Sequence, residues 1–202
     1  MEKNEKELVE NTLQLFMKLG IKSVTMDDVA RHLGISKKTL YKYVEDKNDL
    51  VRKSLSYGCV IENDEINKIC NLNQNAIDES FEINNYVFKH IRLIHPSIVF
   101  DLHKYHPEAW KEFRENKKSQ INQCYMDNIA KGIKEGLYRK DINGEIVTKF
   151  YTSRFEVMFD QDLFPMDRFD PAETYLEIFR YHIRGIASEK GLEYLSKKMK
   201  LK

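Results

Sequence analysis

The chain has 202 residues, 42% hydrophobic and 32% charged, which is enough for one ordinary domain or a small domain fused to a medium one, and too apolar for a disordered chain. With only 8 glycines and 4 prolines the composition favours long helices and points to an all-α protein. The formal net charge of +1 excludes no partner class, because a nucleic-acid binder can be near-neutral overall when its basic groups are clustered.

Taken in chain order, Leu8, Thr12, Leu15, Phe16 and Leu19 form one stripe of a first helix that Gly20 ends. Met26, Val29, Ala30 and Leu33 lie at i, i+3, i+4 and i+7, the spacing of one face of a second helix. Thr25 is placed as its N-cap, with Asp28 as the acidic half of a capping box. Gly34 ends that helix, and Ser36 opens a third, very short one with Leu40 and Val44 turned inward. Asp46 reads as the next N-cap, with Asp49 in the first turn of a helix over 47–70. A loop over 71–75 and a helix over 77–93 follow. Pro96 interrupts before a short helix over 97–105, and Pro107 fits the first turn of a long helix that Gly136 stops. Residues 141–144 read as a turn, 145–162 as a helix, 165–171 as a connector and 172–188 as the last main helix, with a fraying basic tail over 197–202.

Cys59, Cys70 and Cys124 are odd in number and lack metal-type spacing, so free buried thiols are expected. The charged start of the chain lacks the apolar core of a signal peptide, and no uncharged apolar run approaches the length of a membrane span. A cytoplasmic protein without membrane partners is the expectation. His103 and His106 can share a helix face, but no further ligand is spaced with them, so neither metal nor cofactor is expected. No nucleophile elbow, Gly-rich phosphate loop or paired carboxylates occur, which argues against an enzyme.

The informative stretch is Thr25 to Leu50. Two short helices joined by Leu33-Gly34-Ile35-Ser36 are what a helix-turn-helix needs. Gly34 can take the positive φ of the sharp turn, Ile35 can plug the corner and Ser36 can cap the second helix. No acid occurs between Ser36 and Val44, and three lysines surround two tyrosines and a threonine. Lysines neutralise phosphates, and hydroxyls donate to phosphate oxygens or touch base edges. The helix N-terminus adds backbone N–H donors, and Lys47 a further charge. So short a helix cannot stand alone, and must be held through Leu13, Phe16, Val29, Leu33, Leu40 and Val44.

The stretch resembles the DNA-binding signature of the TetR (tetracycline-repressor) family of transcription regulators: Thr25, Ala30, Gly34-Ile35-Ser36, Thr39-Leu40-Tyr41-Lys42-Tyr43, then Asp46-Lys47-Asn48-Asp49-Leu50. Val44 stands where that family more often has phenylalanine. The resemblance implies a helix-turn-helix domain over 1–50 and a helical ligand-binding and dimerisation domain over 51–202. It implies DNA contacts from Thr25, Lys37, Lys38, Thr39, Leu40, Tyr41, Lys42, Tyr43 and Lys47, on double-stranded operator DNA gripped by a homodimer. A repressor released by a small apolar or aromatic effector is the expected mode. The rival is an α-helical small-molecule-binding protein or enzyme with no DNA target.

In the family the last two helices pair with their copies, which would put Ile146, Phe150, Leu176, Phe179, Ile183 and Ile186 at a dimer interface. The 3-4-3 spacing from Leu176 to Ile186 resembles a coiled-coil seam, though the same four residues could pack within one subunit. The region between is rich in aromatics, and in the family it encloses a ligand pocket. Tyr57, Tyr86, Phe100, His103, Trp110, Tyr125, Tyr151 and Phe155 are the candidate lining residues, although an aromatic stripe is also the mark of an ordinary core.

Overall fold

A computed structural model describes residues 3–200, except for the side chains of Lys3, Gln120, Phe155, Glu156, Met199 and Lys200. Its described residues form ten α-helices. They are α1 (Lys3–Leu19), α2 (Met26–His32), α3 (Lys37–Leu40), α4 (Lys47–Cys70), α5 (Ala76–Ile91), α6 (Ile98–Tyr105), α7 (Pro107–Lys134), α8 (Gly144–Met158), α9 (Pro171–Ile186) and α10 (Glu189–Lys200). Among these residues the only extended pairing is one isolated bridge, Tyr138 with Ala187, so the all-α class stands. No helix among them is long and apolar enough to cross a membrane.

The chain forms two compact units, Met1–Asp64 with Leu93–Lys117, and Glu65–Arg92 with Lys118–Lys202. In the first unit the core is Leu8, Val9 and Phe16 of α1, Val29 and Ala30 of α2, Leu40 of α3 and Leu50 and Val51 of α4, all at most 4% exposed. Leu19, placed on the buried stripe by its spacing, is exposed, while Ile21 and Val24 of the following turn go inside. Leu13 and Leu33 are half-buried at the edge of that core. α6 adds Ile98, Val99 and Leu102, and α7 adds Ala109 and Trp110. Asp101 is buried and secures the turn after α1, accepting from the Lys22 backbone N–H at 2.9 Å and the Ser97 hydroxyl at 3.1 Å.

In the second unit α9 lies against α5, with Phe81 and Phe179 edge to face at 5.1 Å. One core unites Ala76 and Ile77 of α5, Tyr125 of α7, Tyr151 of α8, Phe179, Ile183 and Ile186 of α9 and Leu195 of α10. Phe179 and Ile183 are 2% exposed and Ile186 5%, which corrects the expected intersubunit seam. Their spacing marks an apolar face, and that face is filled from within the chain; Leu176 is half-buried beside it.

α10 was not expected as a helix. Ser188 read as the end of α9, but its Oγ accepts from the Gly191 N–H at 3.1 Å, in the manner of a helix N-cap. Lys197 and Lys198, expected in a frayed tail, belong to α10, and Lys198 pairs with Asp78. Leu201 and Lys202 lie outside the described residues. The three cysteines are free thiols: Cys59 is buried, whereas Cys70 and Cys124 are half-buried with their sulfurs 4.0 Å apart.

Candidate nucleic-acid interface

The interface lies wholly in the first unit. Thr25 opens α2 with a reciprocal capping box. Its Oγ1 accepts from the Asp28 N–H at 3.2 Å, while the Asp28 carboxylate accepts from the Thr25 N–H at 3.0 Å and hydroxyl at 2.6 Å. Those bonds hold the Asp28 carboxyl below its ordinary pKa. After Leu33 the chain turns at Gly34, φ +65°, and the Ile35 N–H donates back to the Ala30 carbonyl at 3.0 Å. A Cβ at Gly34 would meet nothing within 4 Å, so glycine serves the backbone conformation and not the available space.

Ser36 caps α3, its Oγ accepting from the Thr39 N–H at 3.1 Å. The helix is regular only over Lys37–Leu40 and is shorter than expected. It then tightens into i→i+3 bonds, Lys42 to Thr39 and Tyr43 to Leu40. Asp46 accepts from the Asp49 N–H at 2.9 Å and Asp49 from the Glu45 N–H at 3.1 Å, fixing the start of α4. Lys53 locks the corner by donating to the Tyr43 carbonyl and pairing with Glu5 at 3.1 Å.

Lys37, Lys38, Tyr41 and Lys42 are exposed, as is Thr25, while Thr39, Tyr43 and Lys47 are half-buried. Leu40 is 0% exposed and corrects its assignment to the contact set: it anchors the helix in the core and reaches nothing outside. Two electrostatic details were not visible in the acid-free run. Asp27, one helix earlier, pairs with Lys37 at 2.6 Å, and that hydrogen bond holds the Lys37 ammonium above its ordinary pKa. Lys47 donates to the Lys22 carbonyl at 3.4 Å, and burial pulls its ammonium below the ordinary lysine value against the opposing fields of Asp101 and Asp28. The face thus offers three exposed lysines and the Tyr41 hydroxyl, with one lysine partly neutralised.

The aromatic residues expected around a ligand divide between the units. Tyr57, Phe100, His103 and Trp110 belong to the first. There Tyr57 donates to Glu10 at 2.9 Å, His103 lies exposed against the Trp110 ring at 4.7 Å, and Phe100 is 55% exposed, which takes it out of any interior. Burial pushes the His103 and His106 imidazoles down, and His106 is tied to Asn48 at 2.6 Å. Tyr86, Tyr125 and Tyr151 belong to the second unit. Tyr86 is half-buried with its ring 4.2 Å from His90, whereas Tyr125 and Tyr151 are buried edge to face at 4.5 Å. The side chain of Phe155 lies outside the described residues. Around Tyr125 and Tyr151 stand Asn84, Arg154, Tyr175 and His182, polar groups not singled out from the sequence. An arginine inside the Tyr151–Met158 run was the available signal.

Of the expected dimer residues, Ile146 is 65% and Phe150 74% exposed. They continue through Ser153 to Val157 as one outward stripe of α8, and α9 adds Tyr181 at 77%. Tyr181 was missed because its hydroxyl gives no apolar periodicity.

Residues 8–53 match the family described as "Bacterial regulatory proteins, tetR family", which spans the whole of this interface. The HTH-type transcriptional regulator YvaF of Bacillus subtilis (strain 168) is 23% identical over 194 residues, covering 92% of this chain and 96% of that protein. The biofilm operon icaADBC HTH-type negative transcriptional regulator IcaR of Staphylococcus aureus (strain Newman) is 26% identical over 135 residues, 61% of this chain and 66% of that one. A transcriptional regulator from Cytophaga hutchinsonii shares the fold, with TM-score 0.72 and 21% identity, covering 90% of this chain and 98% of that one. With the capped α2, glycine turn and outward basic α3, residues 8–53 form a helix-turn-helix that matches the tetR family of bacterial regulatory proteins, and the chain is similar over most of its length to an HTH-type transcriptional regulator.

Proposed function

We propose that the protein is a homodimeric repressor, released from its operator when a small molecule binds the helical part that follows residue 50. Residues 1–50 carry the DNA contacts and residues 51–202 the dimer contacts and the effector. The observation that carries the DNA assignment is the outward face of α3, with Lys37, Lys38, Tyr41 and Lys42 exposed around a helix pinned by the buried Leu40. Lys37, Lys38, Lys42 and Lys47 take phosphates, Tyr41 and Tyr43 brace the backbone, Thr39 approaches base edges, and Thr25 takes a phosphate at the start of α2. Two such helices reach successive major grooves about 34–36 Å apart only as a pair, which makes a two-fold dimer the natural form. The stripe from Ile146 to Val157 with Tyr181 supports α8 and α9 as the pairing surface. Repression is supported by the negative regulator IcaR among the relatives.

An effector acts only through its differential affinity for the DNA-competent and DNA-incompetent conformers, and a hundredfold release needs about 2.7 kcal/mol. α4 begins at the interface and continues past Asp64 into the second unit, as α7 does past Lys117, and both are continuous elements available to couple the two. Footprinting of the DNA flanking the gene, with and without small molecules, tests the reading. Protection of a two-fold site is the expected result, and failure to protect any fragment at low salt would refute it.

A further inference from the structure

We propose that the second unit holds a binding site for a small aromatic monocarboxylate, with Arg154 as the anion-binding residue and the rings of Tyr125, Tyr151 and His182 as its walls. This rests on the reading of the helices beyond residue 50 as the effector-binding region, and it names the chemistry of the effector.

The site is assembled from four helices. Arg154 of α8 lays its guanidinium 3.6 Å over the Tyr151 ring and 4.5 Å over that of Tyr175. Its Nη2 donates to the Tyr125 hydroxyl at 3.0 Å and the Tyr175 hydroxyl at 3.2 Å, with the Asn84 Oδ1 at 3.5 Å. Every one of these partners is neutral. Nη1 is shut off from solvent and has no hydrogen-bond partner, and the described partners of Nη2 are hydroxyl and amide oxygens. A guanidinium stays charged under all ordinary conditions, so a positive charge stands half-buried among aromatic rings with its Nη1 unused. Burying a charge without an opposite one is strongly unfavourable, and proteins keep such an arrangement where an anion completes it.

His182 of α9 supplies the second orphan. It is 9% exposed, stacked on Tyr151 at 3.6 Å and 18°, and its Nε2 is buried without a partner. Burial, and after it the Arg154 charge, push the imidazole down to about 3, so it stands neutral. Arg154 is therefore the one charged group of the cluster, and a single cation balances a single negative charge. That selects a monocarboxylate over a phosphate dianion, and the carboxylate matches the free fork edge. The tyrosine and histidine rings select a flat unsaturated body.

The test uses the full chain and benzoate, 4-hydroxybenzoate and cinnamate as probes, with benzamide and benzyl alcohol as uncharged shape controls. Melting temperature and calorimetric titration are read without DNA, in a carboxylate-free buffer. The carboxylates raise the melting temperature in a concentration-dependent way and the controls do not. Arg154→Met folds as well as the parent and loses the response. Arg154→Lys keeps the charge but not the fork, and binds about tenfold more weakly. No stabilisation by any of the three carboxylates, equal stabilisation by the uncharged controls, or an undiminished response in Arg154→Lys would overturn the proposal. Operator release is measured separately by gel shift. Carboxylates that bind without releasing DNA keep this site and refute effector release, whereas release by some other molecule with no carboxylate binding does the reverse.

Discussion

Lys37 and Lys38 are neighbours in sequence, yet among the described residues only Lys37 is held by an acid, Asp27, across the turn. An exposed pair of this kind is worth little to stability, but it sets how much positive charge the recognition face offers a phosphate. Asp27→Asn should leave the melting temperature nearly unchanged and tighten operator binding severalfold at low salt, with the gain fading as salt screens it. Lys38→Ala should lower the slope of log affinity against log salt by about one, equally for all sequences, and an unchanged slope would remove Lys38 from the phosphate contacts. A second residue-scale consequence concerns His182. Its folded pKa of about 3 lies below the ordinary 6.5, so as pH falls through 6.5 the unfolded chain takes up a proton that the folded one refuses. The stability this histidine contributes is complete above pH 6.5 and is lost progressively down to about 3. Urea unfolding at a series of pH values in the upper part of that window, above the carboxylate range, should give a slope steeper by up to about 1.4 kcal/mol per pH unit in the parent than in His182→Gln.

The elements show how little of the recognition helix is self-supporting. α3 has four residues, and what holds it is the Gly34 turn on one side and Leu40 beneath. Leu40→Ala should destabilise the first unit by about 2–5 kcal/mol and abolish DNA binding through loss of the helix, with no change in the surface charges. Gly34→Ala has space for its methyl group but not the backbone freedom, so a cost of about 1–2 kcal/mol is expected in chemical unfolding. The capping residues Thr25, Ser36 and Asp46 were legible because a cap is a local event, an oxygen three residues from the N–H it accepts. Ser188 obeys the same rule and was overlooked only because Gly191 and the charges after it mask the Leu192–Leu195 periodicity.

At the scale of the whole molecule, the surface of the second unit carries Ile146, Phe150 and Tyr181 exposed on α8 and α9. Gly185 is also exposed on α9, and a Cβ there would meet nothing in this chain, so its cost of about 1 kcal/mol relative to alanine buys no contact within the subunit. If the two helices pair with a second copy, Phe150→Glu with Tyr181→Glu should give a monomer in light scattering that melts cooperatively but no longer binds the operator. A double variant that stays dimeric would move the pairing surface elsewhere.

The sequence by itself determined the helical class, the order of nine helices and the recognition stretch, because periodicity, capping and turn chemistry act over a few residues and leave their marks locally. It also determined that Phe179, Ile183 and Ile186 share one apolar face. Only the tertiary structure decided that α5 and the rest of the second-unit core fill that face, that Asp27 answers Lys37, and that Arg154 and His182 meet among tyrosines from separate helices. Such pairings join residues distant in the chain, and an amphipathic pattern tells which side of a helix must be covered without telling what covers it.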